Sequence, residues 1–317
     1  MIDAHGDGRV TVMIVNPASG GGRCGRAWPA IERRLHAAGV PFSVVTTERR
    51  GDGTALARAA LHAGATTVVA VGGDGTANEV VNGFFEEERP INPTARFGSI
   101  GAGTGNDLSR ALGVDHDAAI AALGPDGITG NVDLLRVRFT LSDGQTRERY
   151  ALLHVLMGVA GEGAAVQLAP RVKRFGRGAS YLLGGAIAAL RHWPQQITYR
   201  LDDGSPQSAR IDGFAVANGA FMGGGLIVAP GARLDDGLAD VIVVGAVGRV
   251  RLLTRLMPGL RDGSYLAHPA VSRYAARQIC VKTADPVVLT IDGELAGRAP
   301  AEIALLPHAL PIALPRR

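Results

Sequence analysis

The stretch VGGDGT, residues 71–76, comes directly out of an apolar run, TTVVAV (66–71). Two glycines, an aspartate, a third glycine and a threonine have a plain explanation there as a tight turn. Glycine reaches positive φ without a clash, and Asp or Thr bonds local backbone groups. What surrounds the stretch decides whether it is more than a turn.

Outward from it the chain alternates. RVTVMIV (9–15) reads as a buried strand, NPASGGGRCG (16–25) as a glycine loop and RAWPAIERRLHAAG (26–39) as a helix. Pro29 is tolerable only in the first turn of that helix, which is therefore expected to start near 26–28. FSVVTT (42–47) and GTALARAALHAG (53–64) give a second strand and helix. TTVVAV with NEVVNGFF (78–85), then RFGSI (96–100) with NDLSRALG (106–113), complete the series. Alternating strands and helices imply βαβ units on a parallel sheet, whose ligands gather beyond the carboxyl ends of the strands. Four Gly- or Thr-rich segments, NPASGGG, TTERRGDG, GGDGT and GAGTGND, all fall at those ends.

From about residue 131 the texture changes. VDLLRVRFTLSDGQTRERYALLHVLMG (132–158) reads as two strands joined at an Asp-Gly turn, and ITYRLDDGSPQSARIDGFAVANG (197–219) repeats the pattern. The expectation is an α/β N-terminal domain with a parallel sheet over 1–130. A mostly antiparallel β domain follows over 131–300, with helical insertions near 160–192 and 249–261. The segment 301–317 contains LPHALPIALP and is expected to return to the first domain as an edge strand.

Composition narrows the classes. The 317 residues are 46% hydrophobic and 20% charged, as in ordinary globular proteins, and 44 glycines are about twice the usual ~7%. A net charge of +4 suits anionic partners without choosing among them. Cys24 and Cys280 form no CxxC or CxxH spacing, which argues against a disulfide scaffold or a zinc site and fits a reducing cytosol. Asp3, His5 and Asp7 stand where a signal peptide would be apolar. The apolar stretch YLLGGAIAAL (181–190) is half the ~20 residues of a membrane span.

GGDGT and GAGTGND each follow a strand and open a helix, so backbone N–H groups and a helix dipole can meet a phosphate there. Neither is a Walker loop or a dinucleotide fingerprint. Asp74, with Asn106 and Asp107, adds groups able to hold Mg2+ against phosphate.

NPASGGG (16–22), GGDGTANEVVNG (72–83) and GTGNDLSRALG (103–113) resemble the three successive signatures of the diacylglycerol kinase catalytic domain, in particular that of the bacterial soluble lipid kinases. LDDGLADV (234–241) resembles the family's metal segment and IDGE (291–294) its carboxylate motif. GGDGT alone also occurs in NAD kinases and phosphofructokinases; the five together are specific. The chain departs from the family in having Gly101 where Pro often stands.

The resemblance implies an NAD kinase/diacylglycerol kinase-like fold and an ATP- and Mg2+-dependent lipid kinase. ATP would lie on Asn16, Ser19, Thr47, Gly73, Asp74, Gly75, Thr76, Ala77, Asn78, Glu79 and Thr104, with Asp74 orienting Mg2+–ATP. Asp236, with the carbonyls of Arg233 and Leu238, would hold a structural Mg2+, and Glu294 would be the catalytic base. Read without the resemblance, Asp236 and IDGE are hairpin turns. The expected acceptor is diacylglycerol at a membrane surface. The alternatives are a sphingoid lipid, an NAD-like soluble acceptor, or a nucleotide- or lipid-binding protein without catalysis. The expected location is cytoplasmic, or peripheral at the inner membrane surface; nucleic acid is not an expected partner, and a homodimer is left open. His154, Trp28 and Trp193 read as packing residues. Arg171, Lys173, Arg174 and Arg177, ahead of Leu183, Ile187 and Leu190, read either as a solvated basic turn before a packed helix or as a surface for anionic lipid headgroups.

Overall fold

The five residues of β1 (Thr11–Val15) and the six of β3 (Thr67–Gly72) are buried without interruption. Strands buried on both faces belong to parallel sheets covered by helices on each side. The computed structural model describes residues 10–141, 143–167 and 177–316, and only the backbone of 164–167 and 177–183. The chain divides into two compact units, Met1–Val132 with His308–Arg317, and Asp133–Pro307.

In the first unit β1 leads through α1 (Ser19–Ala37) to β2 (Ser43–Thr46), then through α2 (Asp52–His62) to β3. After α3 (Asp74–Asn82) comes a small hairpin, β4 (Phe85–Glu86) and β5 (Arg89–Pro90). β6 (Arg96–Gly101), α4 (Asp107–Leu112) and α5 (His116–Ala121) follow. The strand order is β2-β1-β3-β6, all parallel. Beyond β6 lies the end of β18 (Glu294–Leu314), parallel to it, with Ile312 opposite Phe97.

Met13, Val15, Val69 and Val71 pack with Cys24, Ile31 and Leu35 of α1 and Ile120 of α5. The alternate residues Val12, Ile14, Val68 and Ala70 are equally buried on the face that α2 and α3 cover. Burial pushes the Cys24 thiol up, and neither Cys24 nor Cys280 is in a disulfide.

α1 corrects one expectation. After the left-handed run Gly20, Gly21 and Gly22 (φ 63°, 69° and 82°) the helix is regular from Arg23, so Pro29 lies inside it rather than in its first turn. Pro29 deprives only the carbonyl of Gly25 of a donor, and it is exposed, where water can substitute.

The second unit is antiparallel. β7 (Ile128–Thr140), β8 (Thr146–Ala151) and β9 (His154–Gly158) come first, then α6 (Val159–Gln167) and α7 (Arg177–Arg191). β10 (Gln195–Leu201), β11 (Gln207–Ala217), the short β12 (Phe221–Met222) and β13 (Leu226–Ile227), and β14 (Ala239–Gly245) lead to a helical segment over 249–259. β15 (Val271–Ala276), β16 (Gln278–Thr283), β17 (Val288–Ile291) and β18 end the chain. β11 pairs with β10, β10 with β16, β16 with β18, β18 with β17, β17 with β9, and β9 with β11 again. The circuit closes around a core that includes Val155, Met157, Phe214, Val281, Leu289 and Ile303. A closed circuit leaves fewer open edges, and β14 and β15 extend it from β11.

The segment 132–158 folds as three strands rather than the two its alternation suggests. The break falls at Leu152–Leu153, whose N–H groups are taken by the carboxylate of Asp292.

Among the described side chains of α7 the buried residues are the small Gly184, Ala188 and Ala189, while Leu190 is 57% exposed. Gly185 of α7 faces Gly163 of α6 so closely that a Cβ on Gly163 would stand 3.4 Å from the Gly185 Cα. Arg171, Lys173 and Arg174 lie outside the described residues, as do the side chains of Arg177 and Leu183.

At the end of α7 a buried ionic group ties these helices to the strands. His192 Nδ1 is 3.0 Å from Glu162 Oε2 on α6, and Nε2 is 3.4 Å from Asp212 Oδ1 on β11, within ion-pair range though not aligned as a hydrogen bond. Burial alone would lower the imidazole's pKa. The carboxylates of Asp212 and Glu162 outweigh it and raise the pKa from 6.5 to about 9. A raised folded-state value means the stabilisation is complete below 6.5 and is lost as pH rises through about 9. His192→Ala is expected to cost about 3–5 kcal/mol at neutral pH, because it leaves two carboxylates uncompensated. In urea unfolding, the wild type's advantage over this variant should shrink as the pH is taken above about 9.

Candidate active site

In the order β2-β1-β3-β6 the sequence of strand addition reverses between β1 and β3, the place beyond the strand ends where parallel sheets bind ligands. Segments 16–22 and 73–76 flank it, with 47–51 and 102–106 at the ends of the outer strands. Asn16 bonds to both β3 and α3: its N–H donates to Val71 O (2.9 Å) and its Nδ2 to Thr76 Oγ1 (3.0 Å). Gly73 and Gly103 touch backbone to backbone, and a Cβ on Gly103 would stand 2.2 Å from the Gly73 Cα. Only glycine fits there. Ser19 Oγ lies against Gly73, 3.3 Å from where a Cβ would be.

Arg23 is a site residue that the motifs missed. Its Nε donates to Gly20 O (3.0 Å), and its Nη2 to Gly103 O (3.2 Å) and Thr104 Oγ1 (2.9 Å). One guanidinium thus joins the first and fourth loops and places a positive charge among them. The only local signal is a cation immediately after three glycines.

Asp74 opens α3, and its Oδ1 accepts from the N–H of Leu108 in α4 (3.1 Å). Gly75 is half-buried beside it, Thr76 is buried on Asn16, and Thr47 is buried with its N–H on Val15 O (2.9 Å). Ala77 and Asn78 are buried within α3. Glu79 turns to the neighbouring loop, accepting from the N–H groups of Gly51 (2.9 Å) and Gly53 (3.1 Å). Asn16, Ser19, Gly73, Asp74, Thr76 and Thr104 therefore gather at the loops beyond β1, β3 and β6, whereas Asn78 is buried within α3 and Glu79 is bonded to the loop before α2. Asp107 is buried and paired with Arg110 at 2.9 Å.

In the second unit, Asp292 and Gly293 form a two-residue hairpin between β17 and β18, with Ile291 opposite Glu294. Both turn residues have positive φ, 46° and 80°, the type I′ geometry that Asp-Gly favours. Asp292, inside IDGE, is buried. Its Oδ2 accepts from Leu152 N–H (2.8 Å) and its Oδ1 from Leu153 and His154 N–H (both 2.9 Å). These charge-assisted bonds fix the hairpin against the turn between β8 and β9. Glu294 comes next, half-buried, its Oε2 held by Arg149 Nη2 at 3.3 Å. His154 is buried, and among the described residues its Nδ1 has no hydrogen-bond partner.

The turn 233–238 is built on Asp133, whose buried Oδ2 accepts from Gly237 N–H (2.7 Å). Arg233 pairs with Asp235 (3.1 Å), and Asp236 Oδ1 accepts from Leu238 N–H (3.0 Å). Among the described residues no three acidic, His or Cys side chains gather as a metal cluster. With Asp235 paired to Arg233, the donors that this turn offers are hard oxygens, the Asp236 carboxylate and main-chain carbonyls, a set that fits Mg2+ retaining much of its water.

An apolar cavity also lies in the second unit, with about 900 Å3 of empty space, part of it open to solvent. Its walls include Leu156, Phe214, Ile242, Leu252, Leu256 and Tyr265. The Tyr265 hydroxyl donates to Val228 O, and burial raises its pKa, so it stays protonated.

Comparison with known proteins follows the same division. Residues 10–137 match the diacylglycerol kinase catalytic domain, and residues 143–314 match the YegS C-terminal NAD kinase beta sandwich-like domain. A diacylglycerol kinase of Staphylococcus haemolyticus (strain JCSC1435) is 29% identical over 306 residues, 96% of this chain and 88% of that protein. One from Staphylococcus carnosus (strain TM300) is 28% identical over 307 residues, covering 96% and 94%. Among solved structures, a candidate diacylglycerol kinase from Bacillus anthracis str. Sterne superposes with a TM-score of 0.75 at 23% identity, over 96% of this chain and 95% of that one. A second from that strain gives a TM-score of 0.66 at 21% identity, over 96% of each chain.

Asp292→Asn should separate a structural carboxylate from an ordinary turn residue. An amide in its place turns an NH2 group toward an N–H donor, which should cost about 1–3 kcal/mol. Urea unfolding measures the loss; a change within a few tenths of a kcal/mol would return the position to a simple hairpin.

Proposed function

The chain belongs to the diacylglycerol kinase catalytic-domain family, as a member whose residues 143–314 match the YegS-type domain, and from that premise we propose that it transfers the γ-phosphate of Mg2+–ATP to the hydroxyl of diacylglycerol. That it is a lipid kinase follows from the family and its relatives. The nucleotide, the acceptor and the residue roles are our reading. The observation that carries it is the group of glycine-rich loops that meet beyond β1, β3 and β6, with Asp74 and Arg23 bonded among them.

Phosphoryl transfer asks the protein chiefly for positioning and charge. The N–H groups at the start of α3, around Gly73–Gly75, would meet phosphate oxygens where the helix dipole favours negative charge. Arg23 would add a full positive charge, while Asn16, Ser19 and Thr104 would fix the orientation. Asp74 would hold the nucleotide's Mg2+ or its water. Ala77, Asn78 and Glu79 would keep the loop in shape, and Thr47 would close it from the second strand. The lipid hydroxyl would lose its proton to Glu294 as its oxygen bonds to the γ-phosphorus and the bond to ADP breaks. Arg149 and Asp292 keep that carboxylate in place. The apolar cavity supports a lipid acceptor, since it offers acyl chains walls with almost no polar atoms. A Mg2+ on Asp236 and the carbonyls of Arg233 and Leu238 would neutralise the turn's charge and stiffen it. Among the described residues no helix is long and apolar enough to cross a membrane. The reaction would run in the cytoplasm, where ATP is supplied.

Transfer of labelled γ-phosphate to a panel of diacylglycerol, sphingoid base, ceramide, phosphatidylglycerol and NAD tests the acceptor; label on NAD alone would overturn the reading. Glu294→Gln should lower kcat by about 10²–10⁴ with ATP affinity nearly unchanged. Asp74→Ala should abolish both turnover and the rise in melting temperature that ATP gives the wild type. Near-normal kcat in the Glu294→Gln variant would remove Glu294 from the reaction.

A further inference from the structure

Trp193 reads from sequence as a packing residue, yet it is 70% exposed. It lies just past α7, ahead of Pro194, so its ring misses the core that the helix reaches. Its position is nevertheless fixed. The Arg249 guanidinium lies over the indole at 4.3 Å from the ring centre, and Arg249 Nε donates to His192 O (3.1 Å). Leu190, three residues before Trp193, is 57% exposed, and Val250, next to Arg249, is 74% exposed. Single exposed apolar residues need no explanation, but a neighbouring set does.

Charge selects the partner. Segments 188–195 and 249–260 carry Arg191, Arg249, Arg251 and Arg255 and no Asp or Glu. The carboxylates behind them, Glu162 and Asp212, are tied to His192. Tryptophan favours the headgroup layer because its ring is apolar and its N–H is not, and arginine lays its stem on apolar surface while its charge stays wet. The helical segment 249–259 turns Leu252, Leu256 and Met257 into the apolar cavity and leaves Val250, Arg251 and Arg255 exposed.

We propose that this face, Leu190, Trp193 and Val250 set among Arg191, Arg249 and Arg251, docks the protein on the surface of an anionic lipid bilayer. It adds to the lipid-kinase reading but does not depend on it, because docking can be measured on vesicles that contain no acceptor.

In a Trp28→Phe background, Trp193 is the one remaining tryptophan reporter. Its emission should shift to the blue on vesicles of phosphatidylcholine with phosphatidylglycerol, and hardly at all on phosphatidylcholine alone. The full chain should sediment with the anionic vesicles, less so at high salt. Trp193→Ala with Val250→Ser, and separately Arg191→Gln with Arg251→Gln, should each lower the partition coefficient about tenfold or more. Both double variants should melt like the wild type, since the residues are exposed. No vesicle binding by the wild type, or equal binding by both variants, would overturn the proposal. So would concentration-dependent self-association that disappears in Trp193→Ala while vesicle binding persists, since the face would then meet a second copy. Loss of phosphate transfer with docking intact would count against the kinase reading alone.

Discussion

The backbones of Gly73 and Gly103 meet so closely that one methyl group would not fit between them. Around that contact the first unit's loops take their places. The end of β3 and the end of β6 are drawn together, Ala102 N–H donates to Gly72 O at 2.6 Å, and Asn106 closes the fourth loop on itself with Oδ1 on Gly103 N–H (3.2 Å). With side chains removed from the contact, N–H groups are what these loops can present. A helix start, a bordering carboxylate and a guanidinium complete an environment suited to polyphosphate.

The second unit depends in the same way on a buried anion. Asp292 takes the N–H groups of Leu152 and Leu153 in the gap between β8 and β9 and that of His154 at the start of β9. A charged group is tolerated there because its oxygens receive these short bonds. The gap is what turns one expected strand into two, and the same carboxylate fixes the hairpin that carries Glu294. IDGE as a plain hairpin and IDGE as the mount of a functional carboxylate are therefore compatible: a rigid two-residue turn holds well the residue that follows it.

Small residues and one imidazole govern the helical cover. Gly163 and Gly185 let α6 and α7 approach closely, and His192 compensates two carboxylates at their foot. Leu190, which helical spacing could send inward, is exposed, as is Trp193 three residues later.

The alternation of strands and helices, the placing of four glycine loops at strand ends and the change to antiparallel β near residue 131 were written in the sequence, because each follows from residues close together in the chain. Period, turn chemistry and glycine content are local quantities. The roles of Arg23, Asp292, Arg149 and Trp193 were not. Arg23 meets Thr104 across 81 residues, Asp292 meets Leu152 across 140, and Arg149 meets Glu294 across 145. An arginine or aspartate has the same local signature whether it faces water or a distant loop. Only the packed fold, by deciding which loops become neighbours and which side chains are left without a core, settled what these residues touch.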